Sequence, residues 1–243
     1  RKNVERVLGG EKANLIVTSP PYNQSIDKFS SSGMHKETRW AANTRAGSYA
    51  DSLPETEYQA KQTGLLKSFA EVLADDGSVF YNHKNRFREK AVISPWKWIG
   101  ECGAKVRQEI IWKRPGSVTQ NARMFMPVDE RIFWLYYGSD FYFDDTTENK
   151  TLSSIWEINP QMDTGTSIHG CAFPIELPKR AITACSKRGW MVYEPFSGSG
   201  TTLMACEQLG RKCRAIELEP KYVALTLQRW KDATGKTPVI CKD

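Results

Sequence analysis

The chain has 243 residues, 40% of them hydrophobic and 26% charged, with a net charge of +6. That length buries a core without a metal or disulfide staple, and the composition excludes a disordered or fibrous chain. No run approaches eighteen apolar residues, which excludes a transmembrane helix, and residues 1–10 lack the apolar centre of a signal peptide, so the expected setting is the cytoplasm, away from membranes.

Ala13 to Thr18 is a short β-branched apolar run that stops at Pro20-Pro21, and it reads as a buried strand. Residues 23–56 are polar and aperiodic; they read as a long functional loop carrying Phe29, Trp40 and Tyr49. Glu57 to Ala74 has helical spacing, closed by Asp75-Asp76-Gly77. A strand is expected over 78–82, and a helix over 90–102 with Pro95 in its first turn or kinking it. Strands follow at 104–113 and 130–137. Residues 138–168 are polar and turn-rich with an apolar patch at 155–158. Then come a helix at 174–187, a strand at 190–194, a helix at 201–209, a strand at 211–217, a helix at 220–234 and a short strand at 238–241. Strands alternating with helices predict a single-domain, doubly wound α/β fold with a mostly parallel sheet.

The charge is uneven. Residues 84–131 hold eleven Lys and Arg against five acids, while the rest of the chain holds 23 of each. A stretch of that kind suits a polyanion, although a solvated helix face gives the same count. The six cysteines and three histidines show no metal-ligand spacing, so no metal site is expected and the thiols read as packed and reduced.

Two short segments carry the chemistry. In Trp190-Met-Val-Tyr-Glu-Pro-Phe-Ser-Gly-Ser-Gly-Thr-Thr202 a strand ends in an acid and a turn of small residues opens a helix. Gly198 and Gly200 let the backbone approach a ligand, and the start of the helix favours an anionic group. Glu217 ends the next strand, 23 residues after Glu194, where an acid can accept hydrogen bonds from ribose hydroxyls. Neither a dinucleotide nor a triphosphate motif is present, so a nucleoside cofactor without pyrophosphate fits best. Thr18-Ser-Pro-Pro-Tyr22, after the first strand, offers a rigid hydroxyl and a carbonyl as acceptors for a planar amine, beside an aromatic ring. A tight capped turn and a plain Pro-Pro turn are the bland readings of the two segments.

Taken together, Ser19-Pro20-Pro21-Tyr22 and, far downstream, Glu194-Pro195-Phe196-Ser197-Gly198-Ser199-Gly200-Thr201-Thr202 resemble the β-class of amino-methylating DNA methyltransferases over nearly the whole chain. Ile168 to Leu177, Trp112 to Pro115, Glu130 to Phe133 and Arg211 to Tyr222 are similar to further segments of that family. The resemblance implies a seven-stranded, Rossmann-like methyltransferase sheet in permuted order, S-adenosyl-L-methionine as methyl donor, and a flipped base of double-stranded DNA as acceptor. It implies catalytic roles for Ser19, Pro20, Pro21 and Tyr22. It places Thr18, His169, Ala172, Phe173, Pro174, Leu177, the run Glu194 to Thr202, and Glu217 around the cofactor.

Phosphate contacts are expected from Lys84, Arg86, Arg88, Lys113, Arg114 and Arg123, and target recognition from 138–167, shared with the polar loop. Cytosine C5 methylation would need a nucleophilic cysteine, usually after a proline, and no Pro-Cys pair occurs. Within the family a leading Ser is similar to the cytosine-N4 group, with adenine N6 as the alternative. A non-catalytic DNA-binding subunit on the same fold is the reading of another class. His83 is expected to be structural rather than a base contact. A monomer and a homodimer fit equally.

Overall fold

Strand β1 (Ala13–Thr18), the apolar run that stops at two prolines, is an interior strand of a seven-stranded sheet in the computed structural model of the chain. The structure describes residues 2–23, 53–114, 123–159 and 173–239. Helix α1 (Lys2–Leu8) precedes β1. Helix α2 (Glu55–Val72) follows it and leads directly into β2 (Leu73–His83). β1 and β2 pair in parallel, but the register jumps between Ala13 and Leu15, from Leu73 to Ser78. Asp75-Asp76-Gly77 therefore bulge from the ladder, as the reversal at the end of the helix.

The next segment departs from expectation. In place of a helix over 90–102 the chain forms a hairpin, β3 (Arg86–Arg88) and β4 (Ala91–Ile93), and one turn of helix, α3 (Trp96–Ile99). Glu89 and Lys90 join the hairpin with φ of 52° and 65°, the left-handed pair that a two-residue hairpin connection of the I′ type requires. Pro95 caps α3 and starts a helix instead of bending one.

Strands β5 (Lys105–Lys113) and β6 (Asp129–Tyr136) are antiparallel, and β6 also lies antiparallel to β2. Helix α4 (Thr147–Thr151) leads to β7 (Ile155–Glu157), which pairs in parallel with β5. Helix α5 (Glu176–Cys185), β8 (Met191–Glu194), α6 (Thr201–Leu209), β9 (Lys212–Ala215) and α7 (Pro220–Thr234) follow. The order across the sheet is β7-β5-β6-β2-β1-β8-β9, with β6 opposed to the others. The expected strand at 238–241 does not form in its described part, Pro238 and Val239; the seventh strand comes from the apolar patch at 155–157. No described helix is long and apolar enough to cross a membrane.

Side chains of successive strand residues enter opposite cores. Leu15, Val17, Phe80, Ile132 and Trp134 pack with Leu177 and Ile182 of α5 and Ala205 of α6. Ile16, Val79, Tyr81, Phe133 and Leu135 pack with Leu66 and Phe69 of α2 and Trp98 of α3. Burial on both faces explains why these strands read as continuous apolar runs without polar alternation.

This topology positions the site. The chain winds outward from β1 to β2 in one direction and from β8 to β9 in the other, while β1 and β8 are parallel neighbours. Their C-terminal ends form the point where the winding reverses, the place at which open α/β sheets bind ligands.

Candidate functional site

The two tips singled out in the sequence meet at that reversal. Glu194, 1% exposed at the end of β8, accepts a hydrogen bond of 2.7 Å from Thr18 Oγ1 at the end of β1. It also accepts from the Phe196 N–H at 3.0 Å and from Thr202 Oγ1 of α6 at 3.0 Å. Burial pushes its carboxyl up to about 7, with these three donors working against the shift. Thr18, Glu194 and Thr202 thus clamp the two tips and the following helix to one another.

The turn after β8 is held by its own backbone. Ser197 N–H donates to the Ile216 carbonyl, and Gly200 N–H to the Ser197 carbonyl, both at 2.9 Å. Gly198 and Gly200 take φ of 52° and 78°. A Cβ on Gly200 would lie 2.4 Å from Thr226 Cγ2 of α7, so glycine at 200 is required by helix packing as well as by φ. Glu217 Oε2 accepts from the Gly198 N–H at 2.7 Å and its Oε1 from the Glu219 N–H at 2.8 Å, which ties the turn to the end of β9. Ser199 and Thr201 are buried, Pro195 and Phe196 half-buried, and α6 begins without a side-chain cap. Phe173 packs against the core beneath, where Leu177 is 1% exposed, and Pro174 is buried beside it. His169 and Ala172 lie outside the described residues, as do 24–52 and 160–167 of the two expected DNA-facing segments.

The tip after β1 is held by residues far away in the chain. Tyr58 of α2 places its hydroxyl 2.8 Å from the Pro21 carbonyl and 2.7 Å from His83 Nε2. Among the described residues, nothing donates to the Pro20 carbonyl. Ser19 Oγ lies 2.7 Å from the Tyr22 hydroxyl. That hydroxyl donates to Glu130 Oε2 at 2.9 Å and accepts from Asn82 Nδ2 at 2.9 Å. Burial, then the Glu130 charge, raise the Tyr22 hydroxyl well above its ordinary range, so it keeps its proton. The Tyr22 ring rests 4.4 Å from the His83 imidazole, and Lys84 Nζ lies 5.8 Å from its centroid. His83 is fully buried with Nδ1 on the Lys84 carbonyl, and burial pushes it down to about 3, so it is a neutral structural residue, as expected. Beyond Tyr22, Asn23 holds both the N–H and the carbonyl of Leu53, so the chain leaves this tip and returns to it at one place.

Asn23, Tyr58 and Asn82 belong to no motif visible in the sequence, and Glu130 is visible only as the first residue of a segment similar to the family's. The available signals were a polar residue ending the apolar strand at 82 and an acid opening the buried strand at 130.

The expected phosphate-binding cations divide. Arg86 is corrected: it is 5% exposed, forks onto both oxygens of Glu55 at 2.7 Å and lies 4.5 Å over the Tyr58 ring, so it holds the hairpin to α2 and has no surface for a phosphate. Arg88 bonds the Asn23 carbonyl at 2.7 Å and pairs with Glu55 at 3.6 Å. Arg114 pairs with Glu130 at 3.1 Å. Lys113 makes an exposed pair with Glu157, and Arg123 is exposed. The basic stretch does not form one surface. Lys113 pairs in register with Asp129 at the site end of the sheet, whereas Lys105 pairs with Tyr136 at the opposite end.

A sequence model of the DNA methylase family, of N6 and N4 type, matches residues 13–228. The type II methyltransferase M.SmaI of Serratia marcescens is 31% identical over 267 residues, covering 91% of this chain and 85% of that protein. Among solved structures, the fold is similar to that of the PvuII DNA methyltransferase, described as cytosine-N4-specific, with TM-score 0.70, 19% identity and coverage of 90% and 80% of the two chains. It is also similar to M1.HpyAVI, solved as a complex with S-adenosylmethionine, with TM-score 0.65, 18% identity and coverage of 94% and 95%.

Proposed function

The chain belongs to the N6/N4 DNA methylase family, and from that premise we propose that it transfers a methyl group from S-adenosyl-L-methionine to the exocyclic N4 amine of cytosine in double-stranded DNA. The observation that carries the reading is the 2.7 Å hydrogen bond between Thr18 and Glu194, which sets the Ser-Pro-Pro-Tyr tip beside the glycine turn.

The residues around the turn suit a nucleoside bearing a carboxylate. Helix α6 opens without a side-chain cap, so its first N–H groups and dipole favour an anionic group. Glu217 presents a carboxylate for ribose hydroxyls, and Leu218 beside it, 62% exposed, supplies apolar surface for a purine. The S-adenosylmethionine complex of the similar M1.HpyAVI supports the same donor. When bound, that cofactor supplies an electrophilic methyl group on a sulfonium.

Ser19 Oγ and the Pro20 carbonyl accept the two N–H bonds of the amine, which favours a pyramidal nitrogen with its lone pair free of the ring. Two prolines keep these acceptors rigid, so the chain contributes orientation more than acid–base chemistry. Tyr22, braced against His83, stacks on the base. The amine is unreachable in stacked DNA, so the base is extruded onto this edge. Lys84, Lys113 and Arg123 serve the phosphates; the exposed Lys113–Glu157 pair is weak and exchanges readily for a phosphate.

The neutral Ser19 at the head of the motif and the likeness to the cytosine-N4-specific PvuII structure support N4 over N6. Digestion of treated DNA to nucleosides, followed by mass spectrometry, tests the assignment. N4-methylcytosine is the expected product. N6-methyladenine would replace the base assignment, and no methylated nucleoside would leave a DNA-binding subunit on a methyltransferase fold.

A further inference from the structure

We propose that Glu130 is a positioning residue for methyl transfer: through the Tyr22 hydroxyl it fixes the direction of the Ser19 O–H bond, so that Ser19 meets its substrate only as an acceptor. The inference rests on the reading of Ser19 given above and adds to it the cause of its polarity.

A serine hydroxyl is ambiguous, able to donate one hydrogen bond and accept others. Here the neighbours remove the ambiguity. Glu130 is 6% exposed at the start of β6. Its Oε1 faces Arg114 at 3.1 Å, and arginine only donates. Its Oε2 faces the Tyr22 hydroxyl at 2.9 Å and Asn82 Nδ2 at 3.0 Å. The reverse placement of the Asn82 amide would set its oxygen against the carboxylate, so the amide orientation is fixed as well.

Tyr22 has a single proton, which it donates in a hydrogen bond to the carboxylate. The Tyr22 oxygen must then accept from Asn82 at 2.9 Å and from Ser19 at 2.7 Å. The Ser19 proton is committed to Tyr22, and only lone pairs remain for a substrate. Among the described residues, Asn82 Oδ1 is buried without a partner, a second acceptor left open in the same cluster. A group with N–H bonds, such as the C4 amine of cytosine, satisfies Ser19. A carbonyl in the same place, such as O4 of thymine, meets lone pairs. The network therefore selects an amine over a carbonyl before any chemistry occurs.

Glu130→Gln tests this. Arg114 draws the carbonyl of the substituted amide toward itself, which turns the amide NH2 onto Tyr22. The Tyr22 proton then swings to Ser19, and the Ser19 proton points at the substrate. Turnover should fall about thirtyfold, the effect of one buried hydrogen bond turned against its partner, with cofactor affinity and KM for DNA within about twofold of wild type. The same fall in an Asn82→Ala background excludes a turned Asn82 amide as the acceptor of the Tyr22 proton. In a Tyr22→Phe background the link is cut, so adding Glu130→Gln should change turnover by less than about twofold. Adding Arg114→Ala to Glu130→Gln frees the amide to turn its carbonyl to Tyr22 and should recover part of the rate at saturating DNA.

A fourth measurement does not depend on the folding of any Glu130 variant. Tyr22→Phe frees Ser19 to donate, so the binding preference for a target cytosine over a thymine should shrink at least about fivefold. Wild-type turnover in Glu130→Gln, an equal loss with and without the Tyr22 hydroxyl, or an undiminished cytosine preference in Tyr22→Phe would overturn the proposal. Ser19→Ala separates the two levels. Full activity there sinks the reading of Ser19 itself, whereas an inactive Ser19→Ala beside an active Glu130→Gln sinks only the role of Glu130.

Discussion

The two tips that meet at the sheet reversal are made rigid in different ways. The turn after β8 is fixed mostly by neighbours in sequence: two left-handed glycines, the Gly200 N–H on the Ser197 carbonyl, the Ser197 N–H on the Ile216 carbonyl, and Glu217, with Thr18 as its long-range partner. The tip after β1 is fixed from without, by Tyr58 on α2, Asn82 and His83 on β2 and Glu130 on β6, reached across 37 to 108 residues of sequence. The first device depends on backbone geometry and tolerates little change at its glycines. The second depends on hydroxyls and carboxylates, so it can be taken apart one atom at a time.

The hardest blow to the internally fixed tip is Gly200→Ala. It places a Cβ 2.4 Å from Thr226 at a φ of 78°, so left-handed strain and overpacking add to about 3–4 kcal/mol of lost stability, read by denaturant melts, with cofactor binding lost in titration calorimetry. Retained stability and binding would show that the turn has slack the geometry denies.

The clamp between the tips gives the next largest effect. Glu194 is raised from its ordinary 4.5 to about 7 by burial, so the folded protein holds this proton more tightly than the unfolded chain. Its contribution is full below about pH 4.5 and is lost as pH rises through 7, roughly 2–3 kcal/mol in all. His83, pushed down to about 3, works in the opposite sense, its contribution being lost as pH falls below 6.5. Glu194→Gln should therefore flatten the decline between pH 5 and 8 while leaving the acid side unchanged. Parallel stability curves for the two proteins would remove Glu194 as the titrating clamp.

This contrast also explains what the sequence reveals. The β8 turn, its acid and its helix occupy one short stretch, so their spacing alone marks the turn as a candidate ligand site. Ser19 to Tyr22 are visible as a motif, but Tyr58, Asn82 and Glu130 become partners only when β2 and β6 are laid side by side. That pairing is a property of the sheet order and not of any local pattern. The hairpin at 86–93 is hidden because Glu89-Lys90 takes left-handed φ without a glycine to announce it. Arg86 reads as a phosphate ligand because charge counts carry no information about burial, and its partner Glu55 lies 31 residues upstream.

On the externally fixed tip the largest single loss is Ser19→Ala, which removes the proposed acceptor for the amine while leaving Pro20, Pro21 and the turn in place. Methyl transfer in single-turnover assays should fall about a hundredfold, with cofactor affinity unchanged. A rise in KM with unchanged kcat would mean that Ser19 only helps to hold the base.

Tyr58→Phe probes the smallest of these dependencies. The phenyl ring keeps its edge-on contact with Trp98 and its place beneath Arg86, so the change removes the hydroxyl alone. That hydroxyl has one proton and, among the described residues, two acceptors beside it, the Pro21 carbonyl and His83 Nε2. His83 Nδ1 faces the Lys84 carbonyl and must carry the imidazole proton, which leaves Nε2 an acceptor that competes with Pro21. Removing the hydroxyl takes that donor from the half-buried Pro21 carbonyl and the buried His83, for about 1–2 kcal/mol of stability and up to about tenfold in turnover. Cofactor affinity should not move, because the β8 turn makes no use of Tyr58. A variant that loses stability with full turnover would show that the two prolines hold the tip by themselves, and that the long-range bonds serve the fold more than the reaction.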